Sequence, residues 1–451
     1  MTNATTTPKT TLRPIAPEAW ETTARARAQQ QGEPDWALEQ RRIAAAQAKA
    51  LGLPSREHEL WRRIDFRTLE QGLAALDPFH AGPAAATFGD LPAGLQAVLG
   101  EDADRAGVLV QRDAGVAFER NAAELERQGV IVCSLERALT RHAELLRPRL
   151  GALIEPDYDG YAALGAAIRS GGAFVWVPDG VEAALPIRLL HGLDAAGRLA
   201  APRSVIVLGQ QARATIVEEQ SSAAADGLAF HLGGTEVFLG EESKLVFATL
   251  QEWGGNVYHY SNQRARIERG AELQWIQTVL GGRMVKTNSY FDLAGPGASA
   301  YVHGFMFGDE RQHFHLHTLQ RHLADHCTSD LLIKGCLKDH ARSVYQGLIQ
   351  VAEGAQRTDA YQANRNLVLS DTARADSIPG LEILANDVRC THGATIGSVD
   401  PEQMYYLMAR GLPRNTAQRL IVEGFFTPVI DRIPLEGIRE HLRQVIQRKI
   451  G

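Results

Sequence analysis

The sequence predicts a mainly β protein in which a parallel β-helix lies between helical N-terminal and C-terminal domains. Three observations carry that reading. A turn residue followed by an apolar alternation recurs at Gly180 (GVEAALPI), Gly209 (GQQARATI), Gly240 (GEESKLVF), Gly270 (GAELQWI), Gly297 (GASAYVH) and Gly354 (GAQRTDAY), at intervals of 29, 31, 30, 27 and 57 residues. The last interval is close to two periods, with Asp325 or Asp330 near the missing turn. A fixed period of about 20–50 residues marks a solenoid whose units bury their apolar faces on one another. The units are short segments rich in Val, Ile, Thr, Tyr and Phe, with no helix between them, which favours a parallel β-helix over a βαβ sheet or a helical repeat. A β-sandwich with similar loop lengths is the rival. Helical periodicity is confined to the two ends of the chain.

Residues 1–15, rich in Thr and Pro, read as a disordered tail. Residues 16–160 read as a helix-rich domain. From Pro17 to Leu51 the apolar spacing is helical, with a break at Gly32-Glu33-Pro34, and Ser55 is placed to cap a further helix through Leu60 and Trp61. Helical patterns return at Leu91–Leu99 and Ala122–Leu150, mixed with the apolar pieces Val108-Leu109-Val110 and Val130-Ile131-Val132. The β-helix core is expected over residues 161–398. Residues 399–451 are helical again. Asp400-Pro401-Glu402-Gln403 supplies an Asp N-cap and a Pro at the first helical position, and Gly411 ends that helix. A second helix is expected from Asn415 to Val422, stopped by Gly424. After Pro434 a third places Leu435, Ile438, Leu442, Val445 and Ile446 on one stripe, which packs on the protein's own core or on a partner.

Composition bounds the function. The chain has 451 residues, 45% hydrophobic and 22% charged, with 47 Lys+Arg against 53 Asp+Glu and a net charge of −6. That balance, without a long basic run, argues against binding nucleic acid mainly through phosphates. Four cysteines, none in a CxxC pair, suit reduced thiols in a cytosol. The first twenty residues contain no apolar run of the signal-peptide kind, so a cytoplasmic location is expected.

Most catalytic motifs are missing. No GxxxxGK[ST] phosphate loop, HExxH or GxSxG is present. Gly295-Pro296-Gly297-Ala298-Ser299-Ala300 spells a dinucleotide fingerprint but leads into the alternating AYVHGFMF, whereas that fingerprint has to open a helix. Seven histidines fall between His303 and His340. His313, His315 and His317 sit at i, i+2 and i+4, on one face of a strand with Phe314 and Leu316 on the other. With no Asp, Glu or Cys in the same segment, a solvent-facing or interface row fits that pattern better than a metal site. Cys390 and His392, also at i and i+2, put a soft thiol beside an imidazole, but two ligands cannot close a metal site, and a last coil with a buried Cys and a hydrogen-bonded His is the simpler reading.

The stretch DVRCTHGATIGSVDPEQMYYLMARGLPRNTAQRLIVEGFF resembles the C-terminal signature of the SufB/SufD family of iron–sulfur cluster assembly proteins, and THGAT within it resembles the SufD branch. The resemblance extends through Tyr345–Ile383, Gly171–Ile187 and Gly52–Phe66, with Arg63-Ile64 departing from the Tyr-Thr of the family. It implies a right-handed parallel β-helix and a non-catalytic scaffold subunit that pairs with SufB through the β-helix, with a homodimer open to the isolated chain. It implies that the C-terminal helices bind the SufC ATPase, which places Met404, Tyr405, Tyr406, Leu407, Met408 and Arg410 at a partner surface; deletion of residues 400–451 is then expected to leave the β-helix folded. It implies that no cofactor is held stably by this chain alone and that the nascent iron–sulfur cluster forms at the SufB–SufD interface, with His392 and Cys390 as the metal-site candidates of this subunit. Two other classes stand beside it: a β-helix carbohydrate-active enzyme, disfavoured by the lack of a dominant acidic pair in residues 180–390, and a SufB-like homodimeric scaffold, disfavoured by THGAT.

Overall fold

The computed structural model describes residues 17–92, 95–96, 107–222, 225–433 and 436–450. The tail expected over residues 1–15, most of the helix expected at Leu91–Leu99, and Leu435 of the third C-terminal stripe lie outside them.

The chain winds into two ten-stranded sheets. Sheet I runs from the antiparallel pair Gly115–Arg120 and Val108–Arg112 through Ile187–Leu193, Arg213–Ser222, Lys244–Glu252, Glu272–Val279, Ser299–Gly308, Thr328–Leu337 and Asp359–Val368 to Arg389–Ser398. Sheet II runs from Ile131–Ser134 through Ala173–Val177, Arg203–Leu208, Ala229–Leu239, Val257–Ile267, Met284–Leu293, His313–His322 and Arg342–Val351 to Arg374–Ile383, with the short strand Leu199–Ala200 pairing off this path with Ala229–Leu239. From Arg203 onward each strand pairs in parallel with the strand one coil later, as in Met284↔His313 and His313↔Arg342. This is the parallel β-helix that the period predicts. The strands begin earlier than the change of texture near Gly160, because Val108–Arg112 pairs in parallel with Arg188–Gly192.

All the repeat glycines lie where the chain passes from sheet II to sheet I. The left-handed residue of that corner is Gly180, Gln211, Glu242, Gly270, Gly297, His326 or Arg357 in successive coils. Each donates its N–H to the residue preceding its counterpart in the next coil, as in Gln211 to Glu241 (2.8 Å) and His326 to Gln356 (2.9 Å). Gly209 and Gly240 lie two residues earlier, where a Cβ would press on the backbone of the preceding coil. Asp325 occupies the corner that lacks a glycine, whereas Asp330 lies inside a strand.

Alternate residues of each strand fill the lumen. One continuous apolar core runs through it, including Ile216, Phe247, Trp275, Phe291, Phe314 and Ile333. Toward the last coils the filling turns polar, with Thr318, Tyr345, Gln362 and Asn364 buried.

At the N-terminus, helices Glu18–Gln30 and Asp35–Leu51 flank the break at Gly32-Glu33-Pro34. The helix expected through Leu60 and Trp61 is only the short 3-10 turn Glu59–Trp61. Trp61 is drawn into an aromatic cluster with Tyr161 and Tyr260 (ring centroids 5.3 and 5.5 Å apart), and that packing fixes the backbone in place of a helix. The cluster joins this region to sheet II.

The C-terminal helices Pro401–Ala409, Arg414–Ile430 and Glu436–Ile450 include one correction: the middle helix passes through Gly424 and continues to Ile430. Phe426, Val429 and Ile430 are buried beyond Gly424, and Phe426 packs on Phe305 (4.9 Å). Burying them outweighs the ~1 kcal/mol that a helical glycine costs. The Ile438/Leu442/Val445/Ile446 stripe packs on the protein's own sheet I, over Val217, Leu250, Ile276 and Phe307. Deleting residues 400–451 would therefore bare an apolar face of sheet I. No helix among the described residues is long and apolar enough to cross a membrane.

Candidate functional site

The two ends of the solenoid differ. At the start, antiparallel strands Gly115–Arg120 and Ile131–Ser134 close the sheets. At the far end Arg389–Ser398 and Arg374–Ile383 are the outermost strands, ten residues each, with no strand beyond them among the described residues. An unpaired strand edge of that length is a template for pairing with another chain.

Cys390 and His392 lie on this edge. Parallel register stacks Cys390 on Ala360 and His392 on Gln362. Ala360 and Gln362 are buried lumen residues, at 1% and 0% exposure, so Cys390 and His392 share the lumen-facing parity of their strand. Because no further coil covers them, His392 is exposed and Cys390 half-buried against Ala360, Ala385 and Val388. Burial, with the Asp359 carboxylate nearby, pushes the Cys390 thiol pKa up, which keeps it protonated near neutral pH. Neither the buried Cys nor the hydrogen-bonded turn His of the simpler reading describes this placement.

The layer beneath is polar and ordered. Gln362 donates to the Gly380 carbonyl (3.1 Å) and accepts from the Tyr345 hydroxyl (3.3 Å), which meets Thr318 Oγ1 at 2.9 Å. Around the mouth, hydrocarbon lies open: Leu381 and Ile383 at 38%, Ile396 at 51% and Leu384 at 62% exposure. Sequence reading missed these four residues and Gln362. The signal was there in parity, since Leu381 and Ile383 alternate in phase with the buried Ile349 and Val351.

The histidine row does not face solvent. His315 and His317 are buried on the outer side of sheet II, while Phe314 and Leu316 point into the lumen. His317 Nδ1 meets the Tyr290 hydroxyl at 2.8 Å, and Lys286, the in-register neighbour of His315, lies 5.1 Å from the Trp61 ring. The strand parity was read correctly, but the N-terminal region covers this face. Burial lowers the pKa of His317 to about 3 and of Lys286 to about 7. Among the described residues, no three His, Cys, Asp or Glu side chains are grouped to hold a metal ion.

The helix Pro401–Ala409 follows directly. The Asp400 carboxylate caps it by accepting from the Glu402 N–H (2.8 Å). Met404 is buried and Leu407 half-buried, while Tyr405 is 76%, Tyr406 57% and Met408 42% exposed, with the Arg410 guanidinium 5.1 Å from the Tyr406 ring. Such an aromatic and methionine surface has the composition of an interface core.

Comparison with known proteins agrees with the resemblance. Residues 191–425 match the SufBD core domain of SUF system FeS cluster assembly, and residues 104–189 match the SufBD protein N-terminal region. The chain is 27% identical to the iron-sulfur cluster assembly protein SufD of Bacillus subtilis, over 93% of this chain and 95% of that one. It is 26% identical to SufB of the same organism, over 73% of this chain and 71% of that one. A SufBD family protein of Mycobacterium tuberculosis is 35% identical over 48% of this chain and 58% of its own. A β-helix of this architecture, matched by the core-domain family over more than half its length, belongs to the SufB/SufD family of iron–sulfur cluster assembly proteins.

Proposed function

We propose that this chain is the SufD-type, non-catalytic scaffold subunit of a cytoplasmic SufBCD assembly complex, pairing with a SufB-type partner through the open end of its β-helix. The observation that carries the reading is the unfinished coil: two bare strand edges, four exposed apolar side chains and a lumen-facing Cys390/His392 pair at one end of the molecule. A partner with a similar coil end would continue both sheets and cover Leu381, Ile383, Leu384 and Ile396. Without it, a second copy of this chain meets the same need and forms a homodimer.

The cargo is the nascent iron–sulfur cluster. His392 offers an imidazole nitrogen, and Cys390 a thiolate once metal displaces its proton. Two donors leave the coordination incomplete, so the partner supplies the rest. The exposed Tyr405, Tyr406, Met408 and Arg410, with the half-buried Leu407, form the surface that docks a SufC-type ATPase, whereas Met404, expected there from the sequence, is buried and packs inward instead; the chain's lack of a phosphate loop fits that division of labour.

The test is His392→Ala in the complex co-expressed with SufB and SufC and purified anaerobically, measuring iron and acid-labile sulfide per complex. Cluster content should fall while complex recovery stays unchanged. Wild-type cluster content overturns the role of His392, and loss of the complex assigns the residue to the interface alone. In the same system Tyr405→Ala with Met408→Asp should release the ATPase without unfolding the chain; unchanged copurification would refute the docking assignment.

A further inference from the structure

A cavity of about 230 Å³ opens in the N-terminal half, between helix Asp35–Leu51, the loop after Leu150 and helix Gly160–Ala167. It touches sheet II at Arg203 and Glu236, the latter five strands from the open edge, or about 24 Å at ~4.8 Å per strand. Its volume is below the ~300–1,000 Å³ of drug-sized sites, which limits an occupant to fragment size.

The walls are mostly hydrocarbon, from Ile43, Ala44, Leu150 and Ile154. Ile43 is 42% exposed and marks the rim, whereas Arg169 and Arg203 are each only 5% exposed and lie deep. The site is preformed. The Glu236 carboxylate accepts from the N–H groups of Gly151 (2.8 Å), Leu153 (2.7 Å) and Ile154 (3.1 Å), and Gln40 Nε2 donates to the Leu150 carbonyl at 3.0 Å. The loop is thus tied to the solenoid on one side and to the helix on the other.

Three buried guanidinium groups gather at the inner end, Arg41, Arg169 and Arg203, among the carboxyls of Glu33, Glu136 and Glu236. Arg169 and Arg41 share the single carboxylate of Glu33. Arg169 Nε is buried without a hydrogen-bond partner. Arg203 faces Glu236, whose carboxylate already serves three amides. Glu136, close to Arg41, is a further carboxyl, whose pKa burial raises. Burial, reinforced by Arg41 and Arg203, lowers the Arg169 pKa to about 9.

We propose that this cavity is a binding site for a compact apolar carboxylate, with its hydrocarbon against Ile43, Ala44, Leu150 and Ile154 and its carboxylate toward Arg169 and Arg203. Guanidinium forks match carboxylates in planar geometry, and the surrounding hydrocarbon strengthens the charge attraction. Short fatty acids and aryl carboxylates share this chemistry. The site is independent of the coil end and of the partner surfaces.

The test is isothermal titration of the full chain with octanoate, 4-ethylbenzoate and 1-octanol. At least one carboxylate should bind saturably and at least about tenfold more tightly than the alcohol, and the tighter of the two acids identifies a linear or a ring occupant. Ile43→Trp, at the exposed rim, should weaken that binding at least about tenfold with the thermal midpoint unchanged. Absence of saturable binding by both acids, equal binding of the alcohol, or full binding by the Ile43→Trp variant would each overturn the proposal.

Discussion

Individual side chains in the lumen make stability sensitive to both shape and pH. Gly347 shows the first: a Cβ there would overlap the Tyr345 hydroxyl and the Gln362 carboxamide, the two groups that bridge the lumen beneath His392. Gly347→Ala should therefore cost about 1–3 kcal/mol, read as a lower urea midpoint with an unchanged slope. An unchanged midpoint would show that the polar layer gives way freely. For pH, His191, His231 and His259 form a buried cluster in the early coils, with Nδ1 of His231 and His259 at 2.9 Å and Trp253 Nε1 donating to His259 (3.1 Å). Burial lowers the pKa of His191 to about 4 and of His259 to about 3. A depressed histidine binds fewer protons folded than unfolded, so stability falls as pH drops below about 6.5 toward those values. Glu218 in the same chamber is raised to about 7, and its contribution runs the other way, present below about 4.5 and lost as pH rises through 7. His441, raised by its Glu252 partner at 2.6 Å, also favours the folded state at lower pH. His303, His313, His317 and His322 are depressed in the same way, while the buried carboxyls of Glu136, Asp159, Glu219 and Glu236 are raised and act with Glu218. His259 by itself should cost stability as pH falls from 6.5 toward 3, so His259→Gln should lose less stability than the parent chain between pH 6.5 and 4; an identical pH dependence of the urea midpoint in the two would contradict the burial account.

At the scale of elements, the C-terminal helices have two faces with separate consequences. Phe426 is fully buried against Phe305 and Phe307, so Phe426→Ala should loosen the helical cover by about 3–5 kcal/mol. Hydrogen exchange should rise across Arg414–Ile450 before it rises in the strands, and uniform loss of protection would mean that helices and coils unfold as one unit. Tyr405 is mostly exposed, and Tyr405→Ala should leave stability within about 0.5 kcal/mol. The same elements show what was legible in the chain. Asp400-Pro401 fixed a helix start because capping is local. The end of the middle helix at Ile430 was not legible, because Gly424 is a local stop signal and the burial of Phe426 that overrides it depends on sheet I.

At the scale of the whole molecule, the β-helix has one closed end and one open end, and association should depend on the open one. Ile396→Lys places a charge among Leu381, Ile383 and Leu384 without touching a buried contact. It should abolish pairing with a SufB-type partner, or with a second copy, while the thermal midpoint stays within a few degrees. Sedimentation velocity measures this directly, and an unchanged association state would place the interface elsewhere.

The sequence by itself determined the coil period, the corner positions, the two helical ends and the common face of Cys390 and His392. Each follows from spacing along the chain, because strand parity and a repeating turn are local properties. Tertiary structure alone decided which outward faces are covered. The His313/His315/His317 row has the pattern of a solvent face and is buried because the N-terminal region, more than 200 residues earlier in sequence, packs over it. Cys390 and His392 have the pattern of lumen residues and are open because no further coil follows Arg389–Ser398 among the described residues. Parity tells which way a side chain points; what lies on that side depends on contacts between distant segments, and no local spacing encodes them.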